Sequence, residues 1–248
     1  MKQVLLITGG SRGIGAATAM LAAKQGYAIA VNYNGDALAA AQVVQQVRAA
    51  GGEALAVRAD VGNEDQVLAM FESIDASLGR LTALVNNAGV VDVAARVDQM
   101  TLARLRRMFD INILGSFLCA REAVKRMSTR HGGVGGAIVN VSSAAARVGG
   151  AGNYVDYAAS KGAIDTLTAG LAREVATEGI RVNGVRPGII DTEIHASGGQ
   201  PDRARQMAPQ VPMQRAGSAL EVAQAIVWLL SEQASYCTGS TLDVTGGR

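Results

Sequence analysis

The chain has 248 residues, 49% hydrophobic and 18% charged, with 30 glycines and 4 prolines, a composition that fits an ordered globular protein with many tight turns and excludes disorder. Its 23 basic and 21 acidic residues leave a net charge of +2 and no basic run of the kind that binds nucleic acid. The apolar run at residues 4–7 is too short for a signal-peptide core or a bilayer span, so the expectation is a cytoplasmic protein with no nucleic-acid or membrane partner.

In chain order, short β-branched runs at 4–8, 28–31, 54–59, 83–86, 137–142, 181–185 and 241–244 alternate with stretches of helical period such as 38–48, 67–78, 102–127 and 158–177. Apolar strands each followed by a helix-length crossover predict an α/β fold. The expectation is one Rossmann domain over 1–248, a doubly wound seven-stranded parallel sheet with helices on both faces. No Pro-rich or Ser-rich linker leaves room for a second domain. Only residues 192–217 lack a clear strand, and they carry Pro201, Pro209, Pro212 and Gly198-Gly199. Ligands in such sheets bind outside the carboxyl ends of the strands, so this insertion is expected to be a substrate lid, the alternative being a plain surface excursion. Cys119 and Cys237 stand outside any Cys/His cluster and read as free thiols, with no metal site.

After the first strand comes Thr8-Gly9-Gly10-Ser11-Arg12-Gly13-Ile14-Gly15, leading into a run of good helix formers. Glycines let the backbone approach a pyrophosphate closely, and the free amides and positive end of a helix attract its charge. The spacing Gly9, Gly13, Gly15 departs from the G-x-G-x-x-G fingerprint, and a purely structural turn is the alternative. The second strand ends Val31-Asn32-Tyr33-Asn34 without the acid that would accept from a free ribose 2′-hydroxyl. Arg12 offers a permanent charge for a 2′-phosphate. NADP(H) is therefore the preferred cofactor and NAD(H) the alternative. Asp36 either starts the next helix or reaches the ribose.

Further on, Tyr157-Ala158-Ala159-Ser160-Lys161 puts a phenol and an ammonium on one helix face. A fixed cation favours the phenolate, so Lys161 is expected to lower the pKa of Tyr157 from its usual value of about 10 and make it a usable acid/base. Such a pair is also common on solvated helices. Here it has company: Ser142-Ser143 end the fifth strand, Asn86-Asn87-Ala88-Gly89 follow the fourth, and Asn112 lies within a helical stretch.

Together these motifs resemble the short-chain dehydrogenase/reductase family across essentially the whole chain, from Thr8 to Gly246-Gly247. The resemblance implies that Gly9, Ser11, Arg12, Gly13, Ile14 and Gly15 hold the phosphates, with Asn32 and Tyr33 at the ribose and Asp60-Val61 beside the adenine. It implies that Asn87, Ala88 and Gly89 line the cofactor, that Pro187, Gly188, Ile190 and Thr192 fix the carboxamide, and that Lys161 binds the nicotinamide ribose. Ser143 would hydrogen-bond the substrate oxygen, Tyr157 would pass its proton, and Asn112 would hold a water in the relay. The stretch from Ser143 to Tyr157 is one residue longer than is common in the family, which leaves Ser142 as a weaker alternative. Tyr154 lacks a lysine partner, since position 158 is alanine, and reads as a pocket wall.

The implied activity is hydride transfer between nicotinamide and a carbonyl or secondary alcohol. The sequence is similar both to 3-oxoacyl-carrier-protein reductases and to glucose-dehydrogenase-like members, and fold-level likeness does not choose between them. A catalytically silent NADP(H)-binding sensor or scaffold would need the cradle but not the proton relay, and a methyltransferase would not use the Tyr/Lys pair. Arg130 and Arg173 read as solvated arginines, or as contacts for an acidic carrier protein. Ile194, Met207 and Met213 are expected to touch substrate, and His195 to be an exposed lid residue. Members of this size are usually tetramers that pair the long helices, so a homotetramer is expected, with Leu114, Phe117, Leu118, Leu167 and Leu171 in either the interface or the core.

Overall fold

The structure, a computed structural model, describes residues 2–248, and the side chain of His195 lies outside the described residues. Seven strands form one all-parallel sheet: β1 (Gln3–Ile7), β2 (Tyr27–Tyr33), β3 (Ala54–Arg58), β4 (Ala83–Asn86), β5 (Gly136–Val141), β6 (Ile180–Pro187) and, last in the chain, β9 (Thr241–Val244). Their order is β3-β2-β1-β4-β5-β6-β9, the doubly wound arrangement expected from the sequence. Because the order reverses between β1 and β4, the helices that follow these two strands leave on opposite faces. A crevice opens between them at the carboxyl ends.

Alternation along β1 decides which face each side chain covers. Leu5 and Ile7 join Ile29, Val31, Val85, Val139 and the helices α1 (Gly13–Lys24), α2 (Ala37–Ala49) and α10 (Ala219–Leu230). Leu6 points the other way, with Leu84, Ile138, Met70, Phe71 and Met127, beneath α3 (Glu64–Ser77), α5 (Gly115–Met127) and α7 (Val155–Val175). Each such fully buried side chain is worth about 1.5–3 kcal/mol relative to exposure. Helix starts follow their caps: Asp36 accepts from the amide of Ala39, Asn63 from that of Gln66, and Ser218 with Glu221 forms a reciprocal capping box.

Two segments differ from the expected pattern. The stretch 102–127 is not one regular helix but α4 (Leu102–Phe109), a π turn at Asp110–Leu114, and α5. The extra residue in the turn swings Asn112 fully inside, and Gly115 lets the chain pass Val61 where a Cβ would come within 2.6 Å of Cγ2. The insertion after β6 is bounded by a two-residue parallel ladder between β7 (Ile190–Asp191) and β8 (Gly217–Ser218), and it carries α8 (Ile194–Ser197) and α9 (Arg203–Met207). The remaining helix, α6 (Ala145–Val148), follows Ser143.

Gly135 enters β5 with φ 82°, and a Cβ there would lie 2.4 Å from the Gly179 carbonyl oxygen, whereas Gly26, at φ 90°, has open space around it. Gly135→Ala is expected to lose about 2–4 kcal/mol in equilibrium urea unfolding, from left-handed strain and a backbone clash together. Gly26→Ala should lose only the strain, about 1–2 kcal/mol. Equal losses would contradict the reading.

Candidate active site

The crevice is built from two loops stitched to each other. Thr8, at the end of β1, accepts through Oγ1 from the amides of Asn87 and Ala88 at 3.0 Å each, and Asn87 Nδ2 donates back to the carbonyls of Thr8 and Gly9 at 2.9 Å. Asn32 Oδ1 accepts from the Gly9 amide at 3.1 Å, while its Nδ2 donates to the Ala59 carbonyl at 3.0 Å. The glycines follow from this closeness: a Cβ on Gly15 would sit 2.5 Å from the Gly9 carbonyl, and one on Gly9 would sit 3.0 Å from Ala88 Cα.

A cleft of about 500 Å³ runs over the start of α1, lined by Gly9, Ser11, Arg12, Gly13, Ile14, Asn32, Tyr33, Asp60, Val61, Asn87, Ala88, Gly89 and Thr192, the residues the sequence assigns to a cofactor, together with Asp36. Gly15 lies behind the turn, packed on Gly9. Asn32 lines the cleft with an amide already spent on the loop and on β3, so it acts as a brace. Asp36 has its carboxylate on the α2 cap, which favours the first of its two readings. Arg12 caps α1 in extended backbone and makes no cap bond with its side chain.

The cleft continues into a cavity of about 400 Å³ lined by Ser142, Ser143, Tyr154, Tyr157, Lys161, Pro187, Gly188 and Ile190, among others. Tyr157 and Lys161 therefore face the glycine-lined crevice on one side of α7. Lys161 is buried, and its Nζ donates to the Val141 carbonyl at 2.8 Å and stands 5.7 Å from the centroid of the Tyr157 ring. Ser143 Oγ accepts from the amide of Ala145 at 3.1 Å. Ser142 is buried, with its hydroxyl donated to the Lys161 carbonyl at 3.0 Å, so it fixes α7 and Ser143 is the serine presented at the phenol. Asn112, in the π turn, exchanges hydrogen bonds with the backbone of Val90 and donates to Ser160 Oγ at 3.1 Å, tying the loop after β4 to α7.

Electrostatics correct one expectation. The Tyr157 pKa lies above its ordinary value, not below it: burial pushes it up, and a hydrogen bond from Ser143 opposes the rise only in part. Burial also pushes the Lys161 ammonium down, to about 8, with Asp165 opposing. In both groups burial is the largest cause of the shift.

Several supports were not legible as site residues. Asp156, next to Tyr157, is buried in a two-pronged pair with Arg104 at 2.7 and 3.2 Å, which fixes the start of α7 against α4. Arg186 pairs with Asp165 at 2.9 Å and with Asp243 at 3.3 Å, and Asp243 meets Arg147 at 2.6 Å. This chain of charges braces α6, α7, β6 and β9 behind Lys161. Thr8 could have been suspected from its place at the end of β1, but long-range pairs such as Arg104 with Asp156 carry no local signal. Ile194 lines the cavity, whereas Met207 packs on Ile189, Ala204 and Val211, and Met213 belongs to a separate hollow near Gly246. Arg130 pairs with Glu178 ahead of β5, and Arg173 is exposed in the last turn of α7, so neither lines the cavity. Cys119 is buried, its thiol pushed up to about 12, and Cys237 is half-buried; both are free. Among the described residues no helix is long and apolar enough to cross a membrane.

Residues 9–248 match a family model described as enoyl-(acyl carrier protein) reductase. Among curated proteins, an uncharacterized oxidoreductase of Escherichia coli K12, YgfF, is 58% identical over 99% of both chains. Glucose 1-dehydrogenase 2 of Bacillus subtilis is 36% identical over 98% of this chain and 93% of its own length. A 3-oxoacyl-[acyl-carrier-protein] reductase of Staphylococcus aureus is 36% identical over 100% and 98%. Among solved structures, a short-chain dehydrogenase/reductase of Serratia marcescens superposes with a TM-score of 0.90 at 35% identity, over 99% of this chain and 97% of that one.

The depressed Lys161 gives a signed pH dependence. Between pH 8 and 10 the unfolded chain holds a proton on this lysine that the fold has shed, so wild-type stability gains from this group as pH rises through that window. The stability of Lys161→Met relative to wild type should therefore fall between pH 8 and 10, by at most about 1.4 kcal/mol per pH unit in urea titrations. A difference constant with pH would contradict the burial of a charged lysine.

Proposed function

Because the chain belongs to the short-chain dehydrogenase/reductase family and is an oxidoreductase acting between CH–OH and C=O groups, we propose that NADP(H) is its hydride carrier and Tyr157 its acid/base. The observation that carries this reading is the assembly of Ser143, Tyr157 and Lys161 at one cavity wall, continuous with the glycine-lined cleft.

The cleft fits a dinucleotide. Gly9 and Gly15 let the loop fold tightly on itself and on Asn87-Ala88, and the first turn of α1 offers its amides and positive end to a pyrophosphate. Arg12 lines the cleft and would take a 2′-phosphate, while Asp36, which would repel one, has its carboxylate on the α2 cap. Asp60 and Val61 would flank the adenine, Asn87, Ala88 and Gly89 would line the cofactor, Lys161 would bind the nicotinamide ribose, and Pro187, Gly188, Ile190 and Thr192 would fix the carboxamide. Bound there, the nicotinamide supplies or accepts the hydride.

In the reduction direction, negative charge builds on the substrate oxygen, where the Ser143 and Tyr157 hydroxyls donate to it away from bulk water. The raised pKa keeps Tyr157 protonated, so it gives its proton to the nascent alkoxide, a far stronger base. Lys161 is the fixed cation beside the phenolate left behind. Run backwards, that phenolate accepts the alcohol proton. Asn112 holds the backbone of this relay in place through Val90 and Ser160, and a water held there would complete it. Residues 192–217 would close over the substrate as a lid. Leu114 and Phe117, large apolar side chains on the exposed side of the π turn and α5, support a homotetramer paired through this face, with Leu118 and Leu167 in the core. A cytoplasmic location accords with this reading.

Two measurements test it. Tyr157→Phe should lower kcat for carbonyl reduction by about 10²–10⁴ while leaving cofactor affinity within a few-fold; normal turnover would end the assignment. Wild type should prefer NADPH to NADH in initial rates, and Arg12→Ala should cut kcat/KM for NADPH by about 10–100-fold without a matching loss for NADH. A wild-type preference for NADH would end the cofactor assignment.

A further inference from the structure

The cavity beside Ser143 and Tyr157 carries three cationic side chains, Lys161, Arg203 and Arg248, and no Asp or Glu side chain among its lining residues. Lys161 is engaged with the Val141 carbonyl. Arg203 is different. It is half-buried, and among the described residues no Asp or Glu pairs with it. Asp202 sits instead with Arg205, at 3.7 Å, and Glu193 lines the neighbouring cofactor cleft beside Gly13. The contrast with Arg104, Arg147, Arg186 and Arg215 is sharp, since each of those meets a carboxylate at 2.6–2.9 Å.

Two groups hold Arg203 in place without neutralising it. Its guanidinium carbon lies 5.2 Å from the centroid of the Tyr154 ring, and Nη1 donates to Gln200 Oε1 at 2.8 Å. Tyr154 caps α7, its carbonyl accepting from the Ala158 amide at 2.9 Å, so the platform under Arg203 is rigidly tied to the helix that carries Tyr157. A partly desolvated guanidinium without a counter-ion costs stability, and a ligand that brings the missing charge recovers that cost. Its planar fork of donors matches a carboxylate in two-pronged fashion.

The remaining walls set the size and polarity of the ligand. Val91, Ile189 and Ile194 offer apolar surface suited to a short hydrocarbon spacer. The cavity's volume of about 400 Å³ is shared with the nicotinamide end of the cofactor at Pro187, Gly188 and Ile190, which leaves room for a small substrate only. Building on the hydride-transfer reading above, we propose that the substrate is a small oxo or hydroxy acid, its carbonyl or alcohol at Ser143 and Tyr157 and its carboxylate on Arg203.

The test uses matched pairs of ketones in which a carboxylate two to four carbons from the carbonyl is present or masked, beginning with 4-oxopentanoate and its methyl ester, followed by the loss of NADPH absorbance. Wild type should favour the acid of at least one pair by tenfold or more in kcat/KM, mainly through KM. Arg203→Gln should lower that acid-to-ester ratio by about 10–100-fold, and Arg203→Lys should leave it in between. Equal or better turnover of every ester by wild type, or a ratio that Arg203→Gln leaves unchanged, overturns the proposal. Should wild type reduce no carbonyl at all, the hydride-transfer reading is what fails. Calorimetric titration with the acids then decides the anion site: binding that Arg203→Gln abolishes upholds it, and absence of binding overturns it.

Discussion

The first half of α7 is the constraint on which the site depends. Four side chains of its first two turns serve different walls of the crevice: Asp156 pins the helix to α4 through Arg104, Tyr157 faces the cavity, Ser160 meets Asn112, and Lys161 is buried against the end of β5. The hydroxyl of Ser142 closes the bracket by donating to the Lys161 carbonyl. With both helix faces committed, the phenol has little freedom to move away from Ser143. Such preorganisation lets hydrogen-bond donors act on developing charge without reorganising.

Charge is distributed with the same economy. Behind the cavity, positive and negative groups alternate from Arg147 through Asp243 and Arg186 to Asp165, joining α6, β9, β6 and α7. Inside it, Arg203 has no Asp or Glu partner among the described residues. The cleft beside it presents amides, Arg12 and the positive end of α1. The cavity and the phosphate end of the cleft thus favour negative ligands, although the chain as a whole is nearly neutral. Selectivity of this kind comes from where charges are left unpaired, not from how many there are.

Much of this was legible in the sequence because its signals are local. The four-residue spacing of Tyr157 and Lys161 needs only helical periodicity, the glycine run needs only backbone sterics, and the alternation of strand and helix gives the sheet. The π turn at Asp110–Leu114 was not legible, since residues 102–127 have ordinary helical composition and the irregularity answers to Val61 and the loop after β4. Nor were Asp156 and Arg203 as supports and ligands, because their partners or lack of partners arise from residues distant in the chain, 52 positions away for Asp156 with Arg104. The direction of the Tyr157 shift escapes the sequence for a related reason: spacing reveals that a cation is near, but not how far burial raises the phenol and weakens that cation.

The central claim is that Tyr157 enters the reaction as a protonated donor beside a fixed cation. Its most direct test is an NMR titration of the free protein carrying a carbon label on the tyrosine rings, with the Tyr157 signal assigned by its loss in Tyr157→Phe. The account predicts a protonated phenol throughout neutral and mildly alkaline pH, with a midpoint above that of free tyrosine; a phenolate signal near pH 7 would contradict it.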